Sequence, residues 1–351
     1  MSSSSTQTFL SQAEQETDDV GTETTEQQLY QRYANSVSSL PSAQGLSHLQ
    51  LYRHHKGWHG SRMCIAGAMA ADACFAARPS DIIVATLPKS GTTWIKSLLY
   101  ATVHRREHPT DGAAAGDHPF YSFGPHECIK FLEYQIYTGN KIIKSDLDEL
   151  PDPRLFATHV PFVALPAAVV ASRCKVVYMC RDPKDTMVSL WHFANKLRVN
   201  EGLEPLTAET AAELFCDGMS AFGPYWDHVL GYWRAHLARP EQVLFLKYEE
   251  VWKDPPAHVQ KLAAFVGVPF DVEEEENGVV DAIVKLCSFE HMKGLEVTKS
   301  GKTEFVVGAV ENSSFFRRGG VGDWANHLSP EAARRIDAIT EARFEGSGLN
   351  V

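Results

Sequence analysis

The chain has 351 residues, of which 44% are hydrophobic and 22% charged, and its formal net charge is −11. This composition is that of a globular protein and excludes a collagen-like or wholly disordered chain. The acidic balance argues against a broad surface for nucleic acid or anionic lipid, so we expect neither as a partner. No apolar run in the sequence approaches the roughly 20 residues that span a bilayer.

The first 30 residues are rich in Ser, Thr, Gln and Glu and carry six acids but no Lys or Arg. Such a stretch buries too little apolar surface to offset its chain entropy. We therefore predict a disordered acidic tail over residues 1–45 and one globular domain over residues 46–351. The stretch lacks the apolar core of a secretory signal, and its acids argue against a transit peptide, so we expect a cytoplasmic protein.

Cysteine and histidine are frequent but show no metal-binding or disulfide pattern. The seven cysteines are odd in number and include no C-x-x-C pair, and the fifteen histidines include no H-E-x-x-H motif. A chain of this length also needs no disulfide staples. We expect free thiols and no catalytic metal.

Three segments share one pattern, a short apolar strand followed by a polar turn and a helix. The strands are residues 81–87, 175–180 and 243–248. Apolar strands without alternation are typical of a sheet covered on both faces. The pattern predicts a single α/β domain, doubly wound around a central, mostly parallel sheet. Ligands of such sheets bind beyond the carboxyl ends of the strands, where these polar turns should gather.

The first polar turn, residues 88–94, is the strongest local signal and reads Pro-Lys-Ser-Gly-Thr-Thr-Trp. A Gly-containing turn between a strand and a helix presents free backbone N–H groups and the positive end of the helix dipole to an anion. Its hydroxyls and Lys89 add further donors. Ser and Thr also cap helices, but capping needs only one of them. We predict a P-loop-like phosphate-binding turn, although the first Gly of a Walker A motif is missing.

Two further clusters are suited to anions. Arg181 follows the second strand, with Ser189 two helical turns later, and the Gly-rich stretch 315–324 contains Arg317 and Arg318. Arg makes forked contacts with phosphate, and Gly lets the backbone approach it closely. If Arg181 stood alone, we would interpret it as the basic partner of a surface Arg–Asp ion pair. Three such clusters together indicate one nucleotide that carries several anionic groups.

His159 follows a predicted strand and is a candidate proton acceptor. A single histidine at a strand end is more often structural than catalytic. A catalytic role for His159 is more strongly favoured here, because three anion clusters indicate group transfer, which needs a base near neutral pH.

Together these residues resemble the cytosolic sulfotransferases that use 3′-phosphoadenosine 5′-phosphosulfate (PAPS), the plant soluble branch in particular. The turn at 88–94 is similar to the family's 5′-phosphosulfate loop. Arg181 and Ser189 match its 3′-phosphate site, and residues 317–324 match its C-terminal phosphate-closing motif. The resemblance covers roughly residues 50 to 350. It implies transfer of a sulfuryl group to a hydroxyl of a small molecule, with 3′-phosphoadenosine 5′-phosphate (PAP) as the product and no metal.

The resemblance also implies roles for individual residues. His159 would accept the hydroxyl proton, and Lys89 would stabilise the leaving phosphate. The cofactor-binding residues it implies are Lys89, Ser90, Gly91, Thr92, Thr93, Trp94, Arg181, Ser189, Tyr248, Cys287, Ser288, Phe289, Phe315, Phe316, Arg317, Arg318 and Gly319.

The sequence departs from the family pattern at a few positions. Ala157 stands where many animal members carry a Lys two residues before the catalytic His, and Ala325 replaces a Lys after the Trp of the C-terminal motif. The dimer motif of the animal members is not evident, so monomer and homodimer both stay open.

The acceptor pocket is expected to be apolar and formed in part by the loop at 121–131. Aromatic residues there could stack on a flat phenolic or terpenoid acceptor, or pack in the core. These are Phe120, Tyr121, Phe123, Tyr134 and Tyr137. The acceptor class stays open between flavonoids, steroids, hydroxyjasmonates, desulfoglucosinolates and strigolactones.

The sequence favours two rival functions less. A nucleotide kinase would need a Walker lysine and acidic ligands for Mg²⁺, neither of which is placed here. A catalytically dead nucleotide-binding protein would not need both Lys89 and His159.

The polar segment 294–314 lacks a helical period. It is either a mobile lid or an ordinary surface loop.

Overall fold

The computed structural model describes residues 25–54, 57–110, 116–138 and 144–351. Its centre is a parallel sheet of five strands in the order β5-β6-β4-β7-β8. These strands are β4 (Ile82–Thr86), β5 (Lys130–Phe131), β6 (Leu155–Thr158), β7 (Lys175–Cys180) and β8 (Val243–Lys247). Two smaller antiparallel sheets consist of β1 (Ser42–Gln44), β2 (Gln50–His54) and β3 (Gly57–Gly60), and of β9 (Lys302–Phe305) and β10 (Gly308–Glu311).

Helices surround the central sheet and connect its parallel strands. In chain order they are α1 (Thr25–Val37), α2 (Arg62–Cys74), α3 (Thr92–Val103), α4 (Pro125–Cys128), α5 (Lys144–Glu149), α6 (Ala167–Ala171), α7 (Pro183–Asn200), α8 (Ala208–Cys216), α9 (Tyr225–Ala238), α10 (Tyr248–Lys253), α11 (Pro255–Phe265), α12 (Val272–Glu276), α13 (Val279–Leu286), α14 (Phe289–Gly294), α15 (Glu296–Ser300) and α16 (Pro330–Phe344). Within the described ranges, no helix is both long enough and apolar enough to span a bilayer.

The central strand β4 explains why the sheet must be covered on both faces. All five of its residues are buried. Ile83 and Ala85 belong to one apolar core, whereas Ile82 and Val84 belong to a second core on the opposite face. Alternate side chains of a strand point to opposite faces, so each face needs its own layer of helices. The predicted α/β fold with a central parallel sheet is confirmed.

The prediction of a disordered tail over residues 1–45 is wrong for its second part. Residues from Thr25 onward form α1 and β1, and α1 packs against α2. Tyr30, Ala34 and Val37 lie at i, i+4 and i+7 and are buried, which gives this polar helix one apolar face. That spacing was visible in the sequence but was outweighed by the polar composition. Residues 1–24 lie outside the described part of the chain.

The segment 294–314 also has more structure than its sequence predicts. It contains α15 and the hairpin of β9 and β10. Thr298, Thr303 and Val310 are buried, and the backbone N–H of Val306 donates to the carbonyl oxygen of Tyr134 at 2.9 Å. The segment is therefore packed on the domain, and its movement as a lid stays a prediction.

A buried ion pair joins β4 and β6 at their amino ends. Arg154 donates to Asp81 through Nε at 2.7 Å and through a terminal nitrogen at 2.6 Å. Their side chains are 1% and 0% exposed, and Asp81 also accepts from the backbone N–H of Arg78 at 2.7 Å. Removing one partner of such a pair leaves an uncompensated buried charge.

We expect Asp81→Ala to lower the free energy of unfolding by about 3–5 kcal/mol, because the guanidinium of Arg154 stays buried without its carboxylate. Urea denaturation followed by circular dichroism measures this loss. The control is Asp227→Ala, which breaks the exposed pair with Arg343 at 3.2 Å and should cost less than about 1 kcal/mol. Equal losses in the two variants would contradict the role given to the buried pair.

Candidate active site

The polar turns that follow β4, β6, β7 and β8 meet at the carboxyl edge of the sheet, around one cavity of about 440 Å³. Every site residue predicted from the sequence lines this cavity except Ser90, which is buried in the turn beneath it. Residues 230 positions apart in the chain, Lys89 and Gly319, thus face the same space.

The turn before α3 has the backbone shape of an anion site. Lys89 and Gly91 have φ angles of 70° and 96°, and Gly91 is the N-cap of α3. A Cβ at Gly91 would lie 2.7 Å from the Tyr248 ring and 2.8 Å from the sulfur of Met179. Only glycine therefore fits, and it leaves the first N–H groups of α3 without intrahelical partners. These donors and the helix dipole favour a negative charge at this point.

Two donors of this site are among the buried polar atoms that have no hydrogen-bond partner in the described ranges. They are the hydroxyl of Ser90, in the turn beneath the cavity, and the Nε of Arg181, which lines it. Buried polar groups are rarely left without a hydrogen bond, so these two donors are available to a ligand. Both are donors, which suits phosphate oxygens.

Positive charges are concentrated around the cavity. Burial, together with the nearby charges of Arg181 and Arg317, lowers the pKa of Lys89 to about 7. The Lys89 ammonium lies 4.3 Å from the centre of the Phe193 ring. A bound anion would relieve the repulsion between these cations, so the site is electrostatically suited to a ligand with several negative charges.

The second and third sequence clusters are held together by one carboxylate. Asp185 accepts the backbone N–H of Gly322 at 2.7 Å and that of Trp324 at 3.0 Å. Arg181 lies 3.4 Å from the same carboxylate and donates to the carbonyl oxygen of Gly320 at 2.8 Å. The C-terminal Gly-rich segment is thereby fixed over the end of β7.

Asp323 orients the two arginines of that segment. Its carboxylate accepts from Arg317 at 2.6 Å and from Arg318. Burial alone would raise the pKa of Asp323, but hydrogen bonds from Asn326 and Arg317 and the two guanidinium charges lower it to about 2. The carboxylate is therefore ionised at neutral pH, and both guanidinium groups are held at the cavity wall.

Aromatic rings form the end of the cavity next to α10 and α14. Trp94 and Tyr248 meet edge to face with ring centres 5.2 Å apart, and Phe289 and Phe316 lie 6.1 Å apart. A Cβ at Gly319 would lie 2.2 Å from the Phe289 ring, so the backbone at Gly319 passes directly over that ring. These walls are suited to a flat heteroaromatic group.

His159 is held as a neutral imidazole of one defined tautomer. Its Nδ1 donates to the carbonyl oxygen of Thr86 at 2.7 Å, which leaves the lone pair on Nε2. Its backbone N–H donates to Glu133 at 2.6 Å, and its carbonyl oxygen accepts from His228 Nε2 at 3.0 Å. Burial above all lowers the pKa of His159 to about 3. The ring is therefore uncharged at neutral pH and can accept a proton at Nε2.

The remaining walls are apolar, and sequence reasoning identified them poorly. Of the five aromatic candidates, Tyr134 lines the cavity, whereas Phe120 and Tyr137 are buried in the core and Tyr121 is 39% exposed. The apolar wall residues missed from the sequence include Leu46, Leu49, Leu51, Leu190, Leu197, Ala221, Phe305 and Val307. The helical spacing of Leu190 and Leu197 after Arg181 could have predicted that these two leucines face the cavity.

Three buried polar residues were also missed, of which His126 lines the cavity and Lys96 and Glu133 do not. Lys96, His126 and Glu133 are 0%, 4% and 1% exposed. Lys96 follows the phosphate-binding turn on α3 at the spacing of a core position, and nothing in the local sequence pairs it with the other two. Among the described residues, no group of three His, Cys, Asp or Glu side chains is placed to hold a metal ion. All seven cysteines are free thiols.

Comparison with known proteins places this site in a family. A profile described as the sulfotransferase domain matches residues 79–348. The Arabidopsis thaliana protein named cytosolic sulfotransferase 14 is 41% identical over 325 residues, which are 92% of this chain and 92% of that protein. Cytosolic sulfotransferase 8 of the same plant is 41% identical over 317 residues, 90% of this chain and 92% of its own length.

Solved structures agree with these sequence matches. A putative steroid sulphotransferase of Arabidopsis thaliana is 36% identical, with a TM-score of 0.71 over 95% of this chain and 100% of that chain. A mouse sulfotransferase in complex with PAP is 27% identical, with a TM-score of 0.64 over 85% of this chain and 95% of that chain.

The phosphate-binding turn generates a prediction about stability. We expect Gly91→Ala to cost about 2–4 kcal/mol, since it adds positive-φ strain to a clash with Tyr248 and Met179. The matched control is Gly202→Ala, which has a φ of 71° but no heavy atom within 4 Å of the new methyl group. It should lose only about 1–2 kcal/mol. Thermal unfolding compares the two, and a smaller loss at Gly91 would contradict the close packing of the turn.

Proposed function

We propose that this chain, which belongs to the sulfotransferase family, moves the sulfuryl group of PAPS to a hydroxyl of a small apolar or phenolic metabolite. The observation that carries the proposal is the pairing of two groups at one cavity. The unprotonated Nε2 of His159 can take a proton, and Lys89 stands beside the anion-binding turn.

The reaction is an in-line transfer of the sulfuryl group from the 5′-phosphate oxygen of PAPS to the hydroxyl oxygen of the acceptor. His159 Nε2 takes the hydroxyl proton of the acceptor while its oxygen bonds to sulfur, and the bond between sulfur and the 5′-phosphate oxygen breaks. Protonated Lys89 stabilises the negative charge that develops on that leaving oxygen. The products are the sulfated acceptor, PAP and a proton that His159 later releases.

The other residues at the cavity divide by the part of the nucleotide that they suit. The backbone and hydroxyl groups of residues 90–93 would hold the 5′-phosphate, and Trp94 would contact the adenine. Arg181, Ser189 and the backbone at 317–319 would hold the 3′-phosphate. This assignment is supported by the unpartnered donors of Ser90 and Arg181 and by the mouse relative that was solved with PAP.

The acceptor is proposed to be uncharged and largely apolar. Apart from Lys89 and the arginines, the described lining residues are neutral, and most are aliphatic or aromatic. A buried carboxylate or ammonium on the acceptor would lose its hydration without gaining a partner. A steroid or phenolic alcohol is therefore favoured, and the related protein described as a putative steroid sulphotransferase supports the first class.

A nucleotide kinase fits the cavity less well. Kinases hold Mg²⁺ through carboxylates, and no Asp or Glu is among the described residues that line this cavity. We place the enzyme in the cytosol, as the names of its plant relatives suggest for them. Monomer and homodimer stay open.

The first prediction of this proposal concerns nucleotide binding. PAP should bind without Mg²⁺ and in the presence of EDTA, and more tightly than ATP. Because burial and neighbouring cations lower the pKa of Lys89 to about 7, a bound phosphate should raise it again. Binding at pH 8 should then take up about one proton, and affinity should fall as pH rises above 7.

Calorimetry in buffers of different ionisation enthalpy measures this proton uptake. Lys89→Met should abolish the uptake while Arg181 and Arg317 keep measurable PAP affinity. Equal affinity for ATP, dependence on Mg²⁺, or the same uptake in the variant would contradict the assignment.

The second prediction concerns the base. With PAPS and a panel of hydroxylated metabolites, the unmodified enzyme should turn over at least one uncharged alcohol or phenol. His159→Ala should lower kcat by about 10²–10⁴-fold, because the hydroxyl proton loses its acceptor. PAP affinity should change little in this variant, since Nε2 acts on the acceptor. A loss below tenfold would make His159 structural, and PAP binding without any turnover would favour a catalytically dead protein.

A further inference from the structure

Lys96 is a buried amine with no role in the reaction described above. It lies on α3 one turn after Thr93, so the two side chains share a helix face. Its ammonium donates to the carbonyl oxygen of Ile129 at 2.8 Å and contacts Nδ1 of His126 at 3.1 Å. It also lies 3.3 Å from the centre of the Phe131 ring. Burying an amine costs free energy unless it is hydrogen-bonded, so these partners are essential to the position of Lys96.

Lys96 fixes the tautomer of His126. In its ammonium form Lys96 has N–H donors for both partners and no acceptor, and the carbonyl oxygen of Ile129 can only accept. His126 Nδ1 then accepts as well, which places the imidazole proton on Nε2. Burial lowers the pKa of His126 well below its usual value, so the ring has a single N–H to give. That N–H points at the hydroxyl oxygen of Thr93, 3.1 Å away.

The consequence lies in the phosphate-binding turn. A hydroxyl that accepts from His126 keeps its own proton for another acceptor. Thr93 lines the cavity next to Lys89, where the acceptor atoms would be those of the anionic donor. We propose that Lys96 and His126 are positioning residues that direct the Thr93 hydroxyl proton toward the 5′-phosphosulfate of the donor during transfer. This inference rests on the sulfuryl transfer proposed above.

The surroundings of His126 hold it rigidly. Its ring lies 4.4 Å from that of Phe315 and is stacked on Phe131 with centres 5.6 Å apart. Burial lowers the pKa of Lys96 well below its usual value, and the charge of Glu133 opposes this shift. The same carboxylate accepts the backbone N–H of His159. One buried network therefore aligns a donor for the 5′-phosphosulfate and the base for the acceptor.

A double-mutant cycle tests whether His126 acts through Thr93. The variants are Thr93→Val, which removes only the hydroxyl, His126→Phe, and the double variant. We expect His126→Phe to lower kcat roughly tenfold, as for the loss of one oriented hydrogen bond. The double variant should be no slower than Thr93→Val alone. Multiplicative losses would show that His126 acts independently of Thr93 and would overturn the proposal.

Conservative variants separate positioning from packing. In His126→Gln the terminal amide can replace Nε2 as a donor, and kcat should stay within about threefold of the unmodified enzyme. In His126→Asn the amide is too short to reach Thr93, so the roughly tenfold loss should return. Equal loss in both variants would indicate a packing role and overturn the proposal. PAP binding checks that each variant is folded.

Nuclear magnetic resonance of ¹⁵N-histidine protein gives a readout that needs no turnover. The His126 signals, assigned by their loss in His126→Phe, should show the Nε2–H tautomer in the unmodified protein. Lys96→Met should shift them toward Nδ1–H. An Nδ1–H or doubly protonated ring in the unmodified protein would overturn this inference and leave the proposed sulfuryl transfer intact. Absence of turnover with every acceptor would instead count against the proposed function, while the tautomer result still judges the inference.

Discussion

Repulsion between cations is the constraint on which the site depends. Lys89, Arg181 and Arg317 surround one cavity, and no carboxylate enters it from the described walls. Two carboxylates offset this repulsion. Asp185 and Asp323 bind backbone N–H or guanidinium groups on the side of the arginines away from the cavity. Each arginine is thus neutralised by the protein on one side and left open to a ligand on the other. Electrostatic energy stored in this way is released when an anion binds.

The same arrangement sets the protonation of Lys89 and His159. Burial and neighbouring cations lower the pKa of Lys89 to about 7, and burial keeps His159 uncharged although its bond to Thr86 favours the protonated ring. Both protonation states follow from the burial of each group and from the charges around it, rather than from the side chain alone. In the proposed reaction a polyanionic donor would raise both pKa values, because it would favour the protonated lysine and make the imidazole a stronger base. The donor would thereby activate the groups proposed to act on it.

The strands and anion clusters could be predicted from sequence because each rests on local signals. Apolar runs predicted β4, β7 and β8, and residue types at fixed spacing predicted the turns around Lys89 and Arg181. The link between Lys96, His126 and Glu133 could not be predicted, since it depends on how α3, α4 and the segment after β5 pack together. The apolar walls from Leu46 to Leu51 and helix α1 were missed because their polar flanks dominate the local composition.

The position of those N-terminal walls has an evolutionary consequence. Leu46, Leu49 and Leu51 line the cavity, yet they precede residues 79–348, the part of the chain that carries the family signature. Part of the apolar wall is thus encoded outside the stretch that carries the anion-suited turns. Drift or recombination in the short N-terminal sheet can change which molecules fit while the chemical machinery is inherited unaltered. Such modularity lets one enzyme scaffold diversify across many metabolites without losing its reaction.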